Sequence, residues 1–355
     1  MTDVPASPAP DRDLRPRTLR SGEDIAAAGL VAAEKVAAIA QVAGRYAVAI
    51  TPTLAHLIDP TDAADPIARQ FVPDLRELEA RPTELADPIG DDSHSPTRGI
   101  VHRYPDRVLL TPILHCPVYC RFCFRREKVG GDLAVLSNED LERAVAYIRD
   151  HADIWEVVLT GGDPLMLPPA RLGDLLARLA AIDHVAVIRI HSRIPISDPG
   201  RIDEAMLAAL RLDKALWLAV HCNHAREIGA DAAGALGRLS RAGIPLLGQT
   251  VLLKGVNDEP AVMEALMRAL VAHRVKPYYL HHLDLAPGTD HFRTSIARGQ
   301  DLMRQLHGRV SGLCQPHYVL DIPGGYGKAP IGPVYLADGA VEDWQGQSHR
   351  YPPAG

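Results

Sequence analysis

The sequence carries no surplus of positive charge. Thirty-eight Lys and Arg stand against 44 Asp and Glu in 355 residues, a formal net charge of −6. A general nucleic-acid binder usually carries a basic excess, so that class is set aside. No apolar run approaches the roughly 18 residues of a membrane span. The opening stretch, MTDVPASPAPDRDLRPR, holds no apolar segment of the signal-peptide kind. A cytoplasmic protein without membrane or nucleic-acid partners is therefore expected. Five cysteines are few and odd in number, which does not suggest a disulfide framework. Lysine is scarce too: six occur, at 35, 128, 214, 254, 276 and 328. Any chemistry that needs a nucleophilic lysine has a short list of candidates.

The residues present are enough for a large core, since 47% of them are hydrophobic. The length fits about two domains, or one large α/β barrel with appendages. Residues 1–20, rich in Pro, Asp and Arg, read as a mobile tail. Residues 22–43 are Ala-rich with helical spacing, and Pro52, Pro60 and Pro66 break the next stretch into short pieces. The polar stretch ADPIGDDSHSPTRG at 86–99 reads as a linker. Beyond it, β-rich runs at 107–114, 156–160, 185–191, 216–221, 247–252 and 277–280 alternate with helical segments. One of these, SNEDLERAVAYIRDH, opens with Ser137 as a candidate N-cap. Such βα repeats of about 30 residues predict α/β architecture with a parallel barrel or open sheet, whose reactive groups sit at the C-terminal strand ends. Three parts are expected: 1–95, 96–312 and 313–355.

Three motifs fall at those places. HCPVYCRFCFRR sets Cys116, Cys120 and Cys123 at C-x3-C-x2-C after the first predicted strand of the repeats. Thiolates suit zinc or iron–sulfur clusters. Three thiolates completed by His115 would make a zinc site; three thiolates on a four-iron cluster would leave one iron open to another ligand. VVLTGGDPLM places Gly161, Gly162 and Asp163 at the mouth of the next strand, where missing side chains admit close approach of a ligand; the same residues also make an ordinary turn. LDIPGGYGKAPI puts Lys328 after Gly324, Gly325 and Gly327, an unobstructed setting for a Schiff-base lysine or simply a surface turn. Lys254, in LLKGVND, is the competing lysine.

The cysteine spacing, with Phe122 two residues after the middle cysteine, resembles the radical S-adenosylmethionine (SAM) superfamily, and Gly161-Gly162-Asp163 resembles its glycine motif. With VHRYPDRVLL, RIHSRIPI, HCNHAREI, QTVLLKGVND, PYYLHHLD, DHFRTS and DIPGGYGKAP, the chain resembles the lysine 2,3-aminomutase family from about residue 46 to 334. The resemblance implies a partial (β/α)6 radical SAM barrel with an N-terminal helical extension and a short C-terminal segment carrying the pyridoxal phosphate (PLP) lysine. It implies a 4Fe-4S cluster on Cys116, Cys120 and Cys123, SAM, and PLP on Lys328. Reductive cleavage of SAM would give a 5′-deoxyadenosyl radical, and the α-nitrogen of lysine would migrate to Cβ. Arg125 matches the family's carboxylate-binding arginine; Asp284 and Asp321 match its two aspartates for the substrate ε-ammonium. Arg103 and Arg107 are candidates for the PLP phosphate, or form an ordinary strand-edge ion pair. Gly161, Gly162, Asp163, His221 and Gln249 resemble residues near SAM.

The remaining cysteines, Cys222 in HCNH and Cys314, read as buried small hydrophobes. Ala242 stands where longer members have a zinc-binding cysteine, so a zinc-bridged assembly is not expected, although a homo-oligomer is. An external electron donor is required. Rival readings are a sister enzyme that isomerises lysine for attachment to elongation factor P, a glutamate 2,3-aminomutase, and a non-catalytic cluster-binding barrel.

Overall fold

The computed structural model describes residues 17–131 and 135–353; the expected mobile tail falls outside the described residues up to position 16. Nine strands form one sheet in chain order: β1 (Ile100–Tyr104), β2 (Arg107–Ile113), β3 (Glu156–Gly161), β4 (Val187–Ser192), β5 (Ala215–His221), β6 (Leu246–Val251), β7 (Val275–His281), β8 (His317–Ile322) and β9 (Gly327–Pro330). Strands β2 to β8 run parallel, and β1 and β9 pair antiparallel at the two edges. The six strands expected from sequence are β2–β7, and the sheet is the partial barrel expected. Strand β8 lies outside that set, because HYVLDI runs straight into glycines that read as a loop.

Helices return the chain between parallel strands, and their spacing explains which face is buried. In Asn138–Asp150, Leu141, Ala144, Val145 and Ile148 recur at i, i+3, i+4 and i+7 and are buried. Ser137 caps this helix as expected, accepting the Asp140 N–H at 3.0 Å. These residues join the outward side chains Val108, Leu110, Val157, Leu159, Ile188 and Ile190 in one core. Because strand side chains alternate, Arg189, His191, His221 and Gln249 are left facing the barrel interior.

The N-terminal extension departs from one long helix. Gly22–Ala27 and Val36–Ala43 are separate helices. The first ends in a Schellman turn: Gly29 sits at φ 71°, and the N–H groups of Gly29 and Leu30 donate to Ala26 and Ile25 carbonyls. The extension has its own core of Ile25, Ile39, Ile50, Leu54, Ile67 and Phe71, and Val118 of the cysteine loop plugs into it.

The expected linker at 86–99 is instead a docked strap. The Asp87 carboxylate accepts the Asp91 and Asp92 N–H groups at 3.0 and 2.8 Å. A Cβ on Gly90 (φ 69°) would lie 2.3 Å from the Gly325 nitrogen, so the strap and the β8–β9 turn meet backbone to backbone. The expected polar tail folds into a small antiparallel sheet, β10 (Leu336–Ala337), β11 (Ala340–Glu342) and β12 (Ser348–Arg350). Among the described residues no helix is long and apolar enough to cross a membrane.

Phe71 is fully buried in the extension core. Phe71→Ala is expected to cost about 3–5 kcal/mol in chemical denaturation. A loss under about 1 kcal/mol would show that the extension unfolds apart from the barrel.

Candidate active site

The loop after β2 carries the three cysteines on backbone bonds to the extension. Tyr119 N–H donates to Ala49 at 3.2 Å and Arg121 N–H to Gln70 at 2.9 Å. The buried Glu77 carboxylate grips two of the loop's three guanidiniums, with Arg121 Nη2 at 2.6 Å and Arg126 beside it. Cys116, Cys120 and Cys123 are free thiols that line one cavity, together with Tyr46, Tyr119 and Val129. Among the described residues, no three His, Cys, Asp or Glu side chains gather where one metal ion could touch them all. Three thiols lining one cavity suit an iron–sulfur cluster, in which each binds its own iron. His115, the fourth ligand of the zinc alternative, has its Nδ1 3.4 Å from the Tyr119 hydroxyl. Burial pushes the Cys120 thiol up to about 11, partly offset by Arg193, whose Nη1 lies 3.5 Å from the sulfur.

Glycines 161 and 162 make room for protein backbone. Gly161 sits at φ 110°, and a Cβ on Gly162 would lie 2.4 Å from the His115 carbonyl oxygen. The Gly162 and Asp163 N–H groups bind the Ile113 and His115 carbonyls at 2.8 and 2.9 Å. The β3 turn therefore seats the start of the cysteine loop. Asp163 is fully engaged: its carboxylate accepts Ser192 Oγ at 2.8 Å and the N–H groups of Leu165, Arg193 and Ile194 at 3.1, 2.7 and 3.2 Å. Its side chain ties β3 to β4. Phe122 packs edge-on against His221, with ring centroids 5.8 Å apart. His221 and Gln249 are neighbours across β5 and β6. The buried Nε2 atoms of His191 and His221 have no protein partner, and burial holds both rings neutral.

Lys328 lies on β9, directly opposite Asp321 on β8. Its Nζ donates to Asp321 Oδ1 at 2.7 Å and Oδ2 at 2.5 Å, while its N–H donates to the Tyr104 hydroxyl at 2.6 Å. Asp284 lies just past the end of β7. Its buried Oδ1 has no hydrogen-bond partner, and burial together with the Asp321 charge pushes its carboxyl up to about 7. Lys328 and Arg125 pull the other way, so the expected substrate-binding residues do share one electrostatic site.

The arginines are placed by residues that sequence reading missed. Arg125 donates from Nε and Nη2 to Asp91 Oδ2 at 3.2 and 2.8 Å, and from Nη1 to Thr160 Oγ1 at 3.4 Å. Arg103 Nη2 donates to Asp91 Oδ1 at 2.9 Å and Ile89 O at 2.7 Å, but its buried Nε has no partner. Arg107 pairs with Asp106 at 2.6 Å and stacks 3.8 Å from the Tyr104 ring centre. An unpartnered guanidinium N–H beside Lys328's hairpin fits an anionic group such as a phosphate. Lys254, the rival lysine, is exposed on the loop after β6. Cys222 and Cys314 are buried in the barrel core, as expected. Glu77 did leave a trace in the sequence, since Asp74 and Glu77 form a capping box.

Residues 110–266 match the Radical SAM superfamily. An L-lysine 2,3-aminomutase of Methanococcus maripaludis is 43% identical over 82% of this chain and 67% of that protein. Another, from Clostridium subterminale, is 41% identical over 85% of this chain and 73% of that protein. This chain belongs to the lysine 2,3-aminomutase family of radical SAM enzymes. A glutamate 2,3-aminomutase of Clostridioides difficile lies further off, 35% identical over 87% of this chain and 74% of that protein. The family's cofactors are a 4Fe-4S cluster, SAM and PLP, and its members are isomerases. The thiol-lined cavity, the orphaned histidines and the orphaned Arg103 Nε fit such groups.

Cys120→Ala, purified anaerobically, is expected to lose most of its iron and all 5′-deoxyadenosine formation from SAM. Retained SAM cleavage would remove Cys120 from the ligand set.

Proposed function

We propose that this protein converts L-lysine to β-lysine, with Cys116, Cys120 and Cys123 holding the cluster and Lys328 holding PLP. When bound, the cluster and SAM supply a carbon-centred radical, and PLP supplies an aldehyde carbon that keeps hold of the migrating nitrogen. Arg125 receives the α-carboxylate on its fork, a planar match for two oxygens. Asp284 and Asp321 receive the ε-ammonium, so the substrate is stretched between fixed ends and Cβ is held in one place. His221 and Gln249 line the SAM side of the interior. Arg103 and Arg107 face the phosphate. Asp321 has a second task, because its oxygens hold the Nζ protons of Lys328 whenever that amine is free.

The observation that carries this reading is the carboxylate pair. Asp321 already has Lys328, whereas Asp284 has a buried oxygen without a partner and a raised pKa. A second cation would satisfy it, and lysine brings one at its distal end. Glutamate would bring a further anion to two carboxylates, which repel it. We place the enzyme in the cytoplasm as a homo-oligomer reduced by an external one-electron donor. Five unpaired cysteines favour a reducing compartment, and the net charge of −6 favours small-molecule over nucleic-acid partners.

Anaerobic incubation with SAM, a reductant and either amino acid tests the assignment. β-Lysine is expected from lysine and no β-glutamate from glutamate; the reverse outcome would refute it. Asp284→Ala is expected to raise the KM for lysine roughly 30-fold, about 2 kcal/mol for a buried charge pair. The pH dependence has a definite sign. A raised carboxyl pKa favours the protonated form in the folded protein, while lysine needs the ionised form. The KM should therefore rise as pH falls below about 7, by up to about tenfold per unit. A KM flat from pH 8 to 6 would remove Asp284 from the ammonium site.

A further inference from the structure

We propose that Asp91 is a positioning residue that aims Arg125 at the substrate carboxylate and Arg103 at the cofactor phosphate, from a strap clamped to the turn before Lys328. The proposal rests on the reading that Arg125 binds the α-carboxylate. The Asp91 side chain is 8% exposed and the two arginine side chains 10% each, so all three are shielded from water. One carboxylate divides itself between two guanidiniums: Oδ1 takes Arg103 Nη2 at 2.9 Å, and Oδ2 takes Arg125 Nε and Nη2 at 3.2 and 2.8 Å. The Arg125 edge bearing Nη1 is left with a single long contact, 3.4 Å to Thr160 Oγ1. That edge remains for a second carboxylate.

The backbone that carries Asp91 cannot drift. Asp87 holds the Asp91 N–H, and Gly90 and Gly325 meet without room for a Cβ on either. A Cβ on Gly325 would lie 2.4 Å from His94 Cε1, and His94 Nδ1 is 3.0 Å from the Gly90 carbonyl oxygen. Two residues after Gly325 the chain enters β9, where Lys328 sits. On its other side, Asp92 of the strap pairs with Lys128 at the end of the cysteine loop at 2.5 Å. A single segment thus touches the lysine hairpin, β1 and the cysteine loop. A shift of the hairpin moves Asp91, and with it both arginines.

Charge and aim predict opposite results. Removing the Asp91 anion leaves two guanidiniums with more positive field, and field alone would tighten the binding of an anion. Loss of aim weakens it. The holoenzyme of Asp91→Asn is titrated with L-lysine, following the absorbance of bound PLP, and steady-state rates are measured beside it. The expected result is lysine binding at least about tenfold weaker with kcat within about threefold, since binding geometry and not the reacting groups is disturbed. PLP should also leave faster on dialysis. Asp91→Glu, which keeps the charge, should recover affinity to within about threefold. On an Arg125→Lys background, Asp91→Asn should add little, because both act through one guanidinium. Asp91→Ser gives the same reading should the Asn variant fail to fold. Unchanged or tighter lysine binding without Asp91, with Arg125→Lys still weakened, overturns the proposal alone. If Arg125→Lys binds lysine normally, the carboxylate reading itself fails.

Discussion

Two buried carboxylates lie at the end of the barrel, and the protein ammonium beside them, Lys328, binds only Asp321. Asp321 and Lys328 are locked together by strand register, because adjacent β8 and β9 place them opposite each other. Asp284 approaches from the loop after β7 and finds no partner for its inner oxygen. Such an imbalance is destabilising in a folded protein unless something completes it. The polarity of the site derives from it: a cation is wanted at the Asp284 end, and a fixed guanidinium, Arg125, waits at the other. On the proposed assignment, lysine answers both demands in one molecule.

The parallel sheet makes this arrangement possible. With β2 to β8 aligned, the cysteine loop, the glycine turn, His221, Gln249 and Asp284 all leave from the same end of the barrel. The fine positions are then set by contacts too close for side chains. Gly162 against His115 seats the cysteine loop, and Gly90 against Gly325 seats the lysine hairpin. Glu77 and Asp163 act similarly, each devoting a whole carboxylate to holding loops in place. Much of the buried charge here orients loops.

The sequence was legible where the signal was local. Strands β2–β7 show as apolar runs, Ser137 shows as a cap, and the cysteine spacing and the lysine after its glycines survive as short patterns. It was opaque where the signal was long-range. Asp91 looks like any acidic residue in a polar stretch, and only its meeting with Arg103 and Arg125 gives it a task. The sequence also held no sign that Gly162 packs against the His115 backbone, or Gly90 against Gly325. The break at Gly29 was hidden by alanines on both sides, whose helix propensity gives no warning of a turn. Strand β8 was masked by the glycines just beyond it.

The demand for a cation at Asp284 is tested most directly with L-norleucine, which is lysine without its ε-ammonium and ends in a methyl group at Cε. Binding of each to the holoenzyme, followed by the absorbance of bound PLP, should favour lysine by roughly 30-fold or more, since norleucine leaves the buried carboxylate unanswered. Equal affinity for the two would contradict the account, because it would mean that the carboxylate pair plays no part in holding the substrate.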